Sequence, residues 1–367
     1  MLNTLIFVLC LVTNIYNPVL GIENTLKDDL ELERRLKLIN KPPIKIIHTE
    51  FGDIVDCIDI NKQPAFDHPL LKNHTLQREP SFVKSIGMKN SPDRPIFGLD
   101  KDQCPPGTVP IRRTTKEDLI QEELLLNDHI MIRGFPGIHA AEVSVLPSFG
   151  PYYGVSGINS LYNPKIDRTD QVSASLLWVQ NGPSYANNKI TAGWHADNYK
   201  KTGCYNLRCP GFVQISRGNY LGARVTNTSI YGVITFTLGI SINQDPLTRN
   251  WWLHIQNIGI GYFPAALFPN LDSANQVGWG GRTKTPPGTP SPPMGSGHFP
   301  DNNFFHSCYF KSVSVQNSTK INYGPGVYKI EKYSDKPNCF GAVYSGDQGN
   351  AVGPSLQFGG PGGNCGN

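Results

Sequence analysis

The sequence lacks the features of several common protein classes. Beyond its first residues it has no apolar run near the ~20 residues that a membrane-spanning helix needs. It has no Gly-x-Ser-x-Gly turn and no His-Glu-x-x-His pair, and its histidines lack zinc-ligand spacing. The glycine-rich run at 359–363 has no strand-then-helix pattern around it, which disfavours a phosphate cradle. We therefore predict no metal and no cofactor, and no serine hydrolase or metallohydrolase.

Acidic residues are scarce in the C-terminal part of the chain. From Ile138 onward there are 16 Lys and Arg against 10 Asp and Glu, and since the totals are 33 and 29, the preceding part holds 17 against 19. The net charges are thus +6 and −2, so the N-terminal part is a candidate intramolecular partner of the basic part. Uncorrelated surface charge explains this asymmetry equally well. No basic run is dense enough to predict nucleic-acid binding.

The first residues have the pattern of a secretory signal. An eight-residue apolar run from Leu5 to Val12 is followed by polar and turn residues, and then by Val19 and Gly21 at the spacing of a cleavage site. We predict a signal peptide over 1–21 and a secreted protein. The absence of Lys and Arg before the run leaves a short membrane anchor as the alternative.

Cysteine usage agrees with secretion. Without Cys10, seven cysteines remain, an odd number for an oxidising compartment. Cys204 and Cys209, spaced C-x4-C, favour a loop-closing disulfide over a metal or redox pair. The other predicted pairs are Cys339 with Cys365 and Cys57 with Cys104, which leaves Cys308 as the free thiol. Three glycosylation sequons begin at Asn73, Asn227 and Asn317.

The chain divides into two parts by its patterning. Apolar residues at helical spacing predict a helix over Asn24–Asn40, stopped by Pro42 and Pro43. A Pro- and His-rich extended segment reaches about residue 110 and precedes a short helix over Lys116–Leu125. The Gly- and Pro-containing stretch at 133–139 then predicts an exposed connection.

Beyond this connection the pattern is that of β structure. Short runs rich in Val, Ile, Tyr, Phe and Trp, such as SASLLWVQ and NWWLHIQ, alternate with turn residues. They predict an all-β domain of antiparallel sheets stacked as a sandwich. The proline-rich piece Thr283–Pro300 is predicted as a stiff loop.

Several sequence blocks, in a fixed order along the chain, indicate a resemblance to a known protein family. AGW, TGCYNLRCPGFVQ, GWGG, MGSGHFP and FGGPGGN follow one another in the C-terminal part, after NKPPIKIIHTEFGDIVDCIDINKQPAF and CPPGTVPIRRTTKEDL. The chain resembles the plant neprosin family, secreted glutamic peptidases that cleave after proline. The resemblance implies an activation peptide over 22–137, removed near Arg133–His139, and a peptidase domain over 138–367 folded as a curved β-sandwich with its cleft on one sheet. It also implies an extracellular, cell-wall or vacuolar location.

The resemblance does not extend to the catalytic residues that the family implies. Its two glutamates, in the blocks IEAGW and WGGE, correspond here to Thr191 and Arg282. Two neighbouring carboxyls divide acid and base roles, whereas threonine does not titrate usefully and arginine keeps its charge. We predict that no catalytic residue is intact. Four other acidic residues in the C-terminal part are the candidates for compensation, but they are not expected to provide it; these candidates are Glu142, Glu331, Asp197 and Asp272.

A second departure follows Trp194. Family members carry a longer stretch between AGW and TGCYNL, whereas here His195 leads directly into ADNYKK. A real deletion, a splice product or a misplaced gene boundary each explain the gap. The loss of strands from the cleft sheet would weaken both the stability of the fold and its substrate contacts.

Two functional hypotheses follow, from different classes. The first is a secreted pseudopeptidase that keeps a peptide- or glycan-binding groove, with Trp194, Tyr205 and Trp279 as candidate groove residues that stack on proline rings or cell-wall sugars. For each aromatic residue, packing in the core is the alternative. The second is an active proline-specific glutamic endopeptidase made as a zymogen. A decaying gene remains a third explanation, and the propeptide is the expected partner in either of the first two cases.

Overall fold

A computed structural model describes residues 29–82, 97–99, 103–119, 134–168, 170–183, 187–196 and 211–366. Helix is present over 29–39 and 116–119, within the two helices predicted from the sequence. None of the helices in these ranges is long and apolar enough to cross a membrane. The predicted signal peptide and the start of the first predicted helix lie outside the described residues, as do the end of the second helix and the pair Cys204 and Cys209.

Antiparallel β structure dominates the rest of the chain. The strands are β1 Lys45–His48, β2 Ile54–Asp59, β3 Thr108–Arg112, β4 Ile138–Val145, β5 Gly154–Ser160, β6 Val172–Asn181, β7 Asn188–Ala196, β8 Val213–Gln214, β9 Thr237–Gln244, β10 Trp251–Ile255, β11 Ile258–Phe263, β12 Gln276–Lys284, β13 Cys308–Gln316, β14 Asn322–Tyr323, β15 Ile330–Ser334, β16 Gly341–Asp347 and β17 Pro354–Gly359. Short 3₁₀ turns include Pro147–Phe149 and Val327–Lys329.

Three sheets result. A small sheet has the order β1-β2-β3, and a five-stranded sheet has the order β15-β4-β12-β6-β7. The third, nine-stranded sheet has the order β16-β17-β13-β5-β9-β10-β11-β8, with β14 paired to β13. The two larger sheets pack face to face, which confirms the predicted all-β architecture of stacked antiparallel sheets. The small sheet was not foreseen, because an extended Pro-rich segment carries no clear period.

Strand alternation decides which residues form the core between the two larger sheets. In β12, Val277 and Trp279 point inward and are fully buried, and the indole N–H of Trp279 donates to the Ser156 carbonyl of β5 at 3.0 Å. Leu177 of β6 and Val143 of β4 join the same cluster. The opposite face of the five-stranded sheet, which carries the even-numbered residues of β12, is called the outer face below.

The predicted disulfides within the described residues are confirmed. Cys57 bonds Cys104 across the N-terminal sheet, and Cys339 bonds Cys365 near the C-terminus. Cys308 is free, as predicted, and it is fully buried at the start of β13, where the Ser160 hydroxyl donates to its sulfur at 3.3 Å.

Cys308 is expected to resist alkylation in the folded protein. Burial raises the pKa of its thiol to about 12, although hydrogen bonds from Ser160 and Ser175 oppose this. The nucleophilic thiolate is therefore scarce at neutral pH and has no access to reagent. Iodoacetamide at pH 8, followed by peptide mass spectrometry, should leave Cys308 unmodified until a denaturant is added. Rapid labelling without denaturant would contradict its burial.

The N-terminal segment is packed onto the nine-stranded sheet. The Gln63 side chain bonds the backbone of Gln214 twice: its amide donates to the Gln214 carbonyl at 3.1 Å, and its oxygen accepts from the Gln214 N–H at 2.7 Å. The buried Asp53 carboxylate accepts from Arg224 at 3.1 Å. Further along, Trp252 is buried beside Ala65 and the neighbouring residues of the same segment. The segment before residue 83 thus forms part of the folded core.

Asp245 is the main polar anchor of this segment. Its carboxylate accepts from the Gln77 amide at 2.9 Å, the Ser81 hydroxyl at 2.8 Å and the Thr248 N–H at 2.9 Å. Burial opposes its ionisation, but hydrogen bonds from the Thr248 and Ser81 backbone and from the side chains of Ser81 and Gln77 outweigh it and lower the pKa of Asp245 to about 2.

Acid is therefore expected to loosen this contact. A depressed carboxyl pKa contributes stability that is complete above the unfolded value of about 3.9 and is lost as the pH falls toward the folded value. The thermal midpoint should drop between about pH 4 and pH 2, the range set by the two pKa values. Asp245→Asn should have a lower thermal midpoint than the wild type at pH 6. Below pH 4 its thermal midpoint should change less with pH than that of the wild type. An unchanged slope in this variant would assign the acid effect to other groups.

Candidate functional site

The outer face of the five-stranded sheet brings Thr191 and Arg282 together on one surface. Thr191 lies on β7 opposite Trp178 of β6, which lies opposite Gly278 of β12. Arg282 is four residues further along β12, so both side chains project from the same face. Since β6 separates them, their Cα atoms are roughly 16 Å apart on a flat sheet with ordinary strand spacings. Glutamates at these positions would approach each other only across the face of β6.

Arg282 is buried and paired. Its Nε donates to the Glu142 carboxylate of the adjacent strand β4 in a short contact. The two residues are only 3% and 1% exposed, so this ion pair has been withdrawn from bulk water. A guanidinium in this position neutralises a carboxylate and cannot accept a proton. The position that the resemblance assigns to a catalytic carboxyl is thus occupied by one half of a charge pair.

A polar row crosses the same face next to this pair. The Gln180 amide donates to the Gln276 carbonyl oxygen at 2.7 Å, and the Gln276 amide donates to the Ser144 hydroxyl at 3.1 Å. The Ser144 hydroxyl in turn donates to Glu331 at 3.3 Å. Each member uses a different strand, from β6 to β15. The row orients hydrogen-bonding groups without placing two carboxyl groups together.

Glycines alternate with larger side chains on the face between Thr191 and Arg282. Gly193 of β7 and Gly280 of β12 flank Leu176 of β6. A Cβ on Gly193 would lie 1.9 Å from the Ser175 carbonyl oxygen, and backbone cannot move away cheaply. At Gly278 a Cβ would meet the Trp178 ring at 2.4 Å, so the indole lies across this glycine. Strand packing therefore requires glycine at these positions, and the Trp178 ring occupies the face beside Thr191.

The groove aromatics predicted from the sequence do not form this surface. Trp279 is fully buried in the core, so its assignment to a groove is wrong; the alternation of β12 turns it inward. Trp194 is partly buried, packs against the same core and donates from Nε1 to the Ser160 carbonyl at 2.8 Å, so it also faces the interior. Tyr205 lies outside the described residues.

The remaining acidic candidates lie in different places in the structure. Asp272 lies in an exposed position near Arg249, 3.5 Å away, and Glu331 belongs to the polar row. Asp197 and the junction that follows β7 lie outside the described residues. Within the described ranges β7 has β6 as its paired strand, so the sheet ends at the strand that carries Thr191. No three His, Cys, Asp or Glu side chains of these ranges are grouped as metal ligands would be.

The pairing of Glu142 with Arg282 was not predicted from the sequence. A signal was available, because IHAAEVSV alternates small and apolar residues and places Glu142 and Ser144 on one face of β4. What the sequence could not supply was the strand order, which sets β4 beside β12 and Glu142 opposite Gly280.

The predicted sequons are at the surface. Asn73 and Asn227 are exposed, and Asn317 is half-buried at the turn after β13. The Asn317 side-chain oxygen accepts from the Thr319 hydroxyl at 2.8 Å and from the Ile321 N–H at 2.9 Å. These bonds use the oxygen and leave the sequon turn intact if the amide nitrogen carries a sugar. Glycosylation at the three sites stays a prediction.

Comparison with protein families adds two matches. The family described as Neprosin matches residues 194–361, and the family described as Neprosin activation peptide matches residues 46–128. The first match covers strands β8 to β17 of the sandwich, and the second covers the small N-terminal sheet. The two matches lie in the order of an activation segment followed by a catalytic-type domain.

Proposed function

Because the chain belongs to the neprosin family, with an activation-peptide segment before a peptidase-type domain, we propose that it is a secreted and catalytically silent member of that family. In this proposal the outer face of the five-stranded sheet binds an extended, proline-containing peptide and does not cleave it.

The proposed loss of catalysis rests on one observation, the buried ion pair of Arg282 with Glu142. General acid and base catalysis requires groups that exchange protons near the working pH, and each such group is worth roughly 10² to 10⁴ in rate. Arg282 keeps its proton, and Thr191 does not titrate in the useful range. Glu142 is turned toward the guanidinium and is nearly inaccessible, so it does not replace the missing acid.

The retained surface supports the binding half of the proposal. The exposed Gly193 of β7 leaves room for an extended backbone, and the row from Gln180 to Glu331 offers amide, hydroxyl and carboxylate groups. β7 is the last strand of its sheet in the described residues, and edge strands are templates for an added strand. A carbohydrate chain is the alternative ligand for this face, and the binding test below includes a neutral oligosaccharide for that reason.

The cleavage test uses the purified full chain. After incubation at pH 3 to 5, it is mixed with a reporter peptide that contains one proline, and products are followed by mass spectrometry. We expect no cleavage after proline above a buffer control. Cleavage at a rate comparable to that of a proline-specific peptidase run in parallel would establish the alternative, an active zymogen.

The binding test is separate from the cleavage test. A fluorescent proline-containing peptide should bind the wild type. Thr191→Trp should weaken its affinity roughly 5- to 20-fold, which is about 1–2 kcal/mol, because the indole would fill space that the bound peptide needs. Thr226→Trp, at an exposed position before the Asn227 sequon, is the matched control and should bind as the wild type does. Equal binding by both variants, or binding of a neutral oligosaccharide in place of the peptide, would refute a peptide site on this face.

A further inference from the structure

A cluster of aromatic rings surrounds a lysine at the end of the sandwich where β4 ends. The ammonium of Lys329 lies 5.1 Å from the Phe149 ring centre, 5.3 Å from that of Tyr323 and 5.6 Å from that of Tyr328. Phe149 and Tyr328 also meet edge to face at 5.8 Å. The backbone holds the two turns together, because the Leu146 N–H donates to the Lys329 carbonyl.

A second lysine and ring continue this surface. The ammonium of Lys320 lies 4.2 Å from the Tyr153 ring centre and donates to the Gln244 carbonyl at 3.3 Å. The Tyr153 N–H donates to the Gln316 carbonyl, and Gln316 belongs to the strand pair that also carries Tyr323. The platform is defined by these six residues: Phe149, Tyr153, Lys320, Tyr323, Tyr328 and Lys329.

The platform is open to solvent where it is most apolar. Tyr328 is 74% exposed and Phe149 is 37% exposed, and the flanking Val327 and Ile321 are 65% and 61% exposed. Contiguous exposed apolar surface of this kind marks interaction sites on soluble proteins. Cations over ring faces add charge to a surface that would otherwise be uncharged.

We propose that the platform binds an acidic polysaccharide, a polymer of uronic acid rings. The apolar face of a pyranose ring packs on an exposed aromatic ring, and its carboxylate pairs with a neighbouring ammonium. Lys329 and Lys320 supply two such cations along one surface. The part of the chain from Ile138 onward carries 16 basic against 10 acidic residues, so its net charge of +6 favours an anionic polymer.

A bound carboxylate would favour the charged form of Lys320. Burial lowers the pKa of the Lys320 ammonium to about 8. The charge of Asp245 raises this pKa, and the charge of Arg249 lowers it further. This surface lies apart from Thr191 and Arg282, so its ligand does not depend on the proposed function, and the cleavage assay does not report on it.

The test measures binding of the full chain to polygalacturonate by isothermal titration at low and moderate salt. Fully methyl-esterified polygalacturonate is the matched ligand, since it keeps the sugar rings and loses the charges. We expect Lys329→Ala to weaken binding of the acidic polymer at least 5-fold and to reduce its salt dependence. Tyr328→Ala should weaken binding of both polymers. Lys165→Ala removes the same charge from a residue paired with Asp167 and should change affinity less than 2-fold.

The outcomes are distinct. Equal losses for Lys329→Ala and Lys165→Ala would mean attraction by net charge alone and would overturn the site. Equal affinity for the esterified and the acidic polymers would show that the ligand of the platform is not an acidic polysaccharide. Tighter binding of an acidic proline-rich peptide would show the same. Thermal midpoints within a degree or two of the wild type show that the variants fold. Because the sequon at Asn317 precedes Lys320 by three residues, deglycosylated protein is titrated as well and should bind at least as tightly.

Discussion

Replacement of Glu142 by alanine is expected to lower the free energy of unfolding by about 3–5 kcal/mol, which is the usual cost of breaking a buried ion pair from one side. The reason lies in the burial of Arg282. Its side chain is 3% exposed and donates to Glu142, so the variant keeps a buried guanidinium and removes the carboxylate that it faces. The measurement is equilibrium urea unfolding of the full chain at pH 6, followed by circular dichroism.

Two control variants separate this effect from a general loss of charge. Glu331→Ala removes a half-buried carboxylate from the next strand, where Ser144 is its hydrogen-bonding neighbour, and should cost much less. The double variant Glu142→Met with Arg282→Met should recover most of the lost stability, since apolar replacements of a buried pair are often neutral or stabilising. Similar small losses for Glu142→Ala and Glu331→Ala would show that the pair contributes little.

The fold was largely predictable because its determinants are local. Apolar residues at helical spacing marked the helix observed at 29–39, and runs such as NWWLHIQ marked strands such as β10. Two disulfides were predicted from the positions of the cysteines along the chain and from their odd number, and the structure contains both: Cys57 with Cys104 and Cys339 with Cys365. The small sheet β1-β2-β3 escaped prediction, because its short strands are stabilised by a disulfide and by packing on another sheet, and not by a period of their own.

The site was predictable only in part, because a sheet face is assembled from distant strands. Sequence blocks singled out Thr191 and Arg282 as candidates, and the register places both on one face. The inward orientation of Trp279 was missed: the WGGR block follows a strict alternation in which Arg282 points outward, and so Trp279 must point inward. The partnership of Arg282 with Glu142 spans 140 residues of sequence and depends on strand order. No pattern within either strand indicates it.

Restoration of a glutamate pair is expected to require three substitutions. Thr191→Glu with Arg282→Glu places a new carboxylate beside Glu142, where the guanidinium had been. Two carboxyls in such a buried position resist joint ionisation, which perturbs the new acid and destabilises the fold. Adding Glu142→Gln removes the competing charge and keeps an amide that can donate to the new carboxylate.

The triple variant should therefore gain cleavage after proline that the double variant lacks. Since each acid or base group is worth roughly 10² to 10⁴ in rate, a gain of at least 10² over the wild type is expected at acidic pH, with the same reporter peptide. Glu142→Gln alone is the control and should stay inactive. If the triple variant is folded yet as inactive as the wild type, the loss of function does not reside at positions 191 and 282 alone. The connection after β7, which the sequence comparison predicts to be shortened, would then be the part of the chain to lengthen.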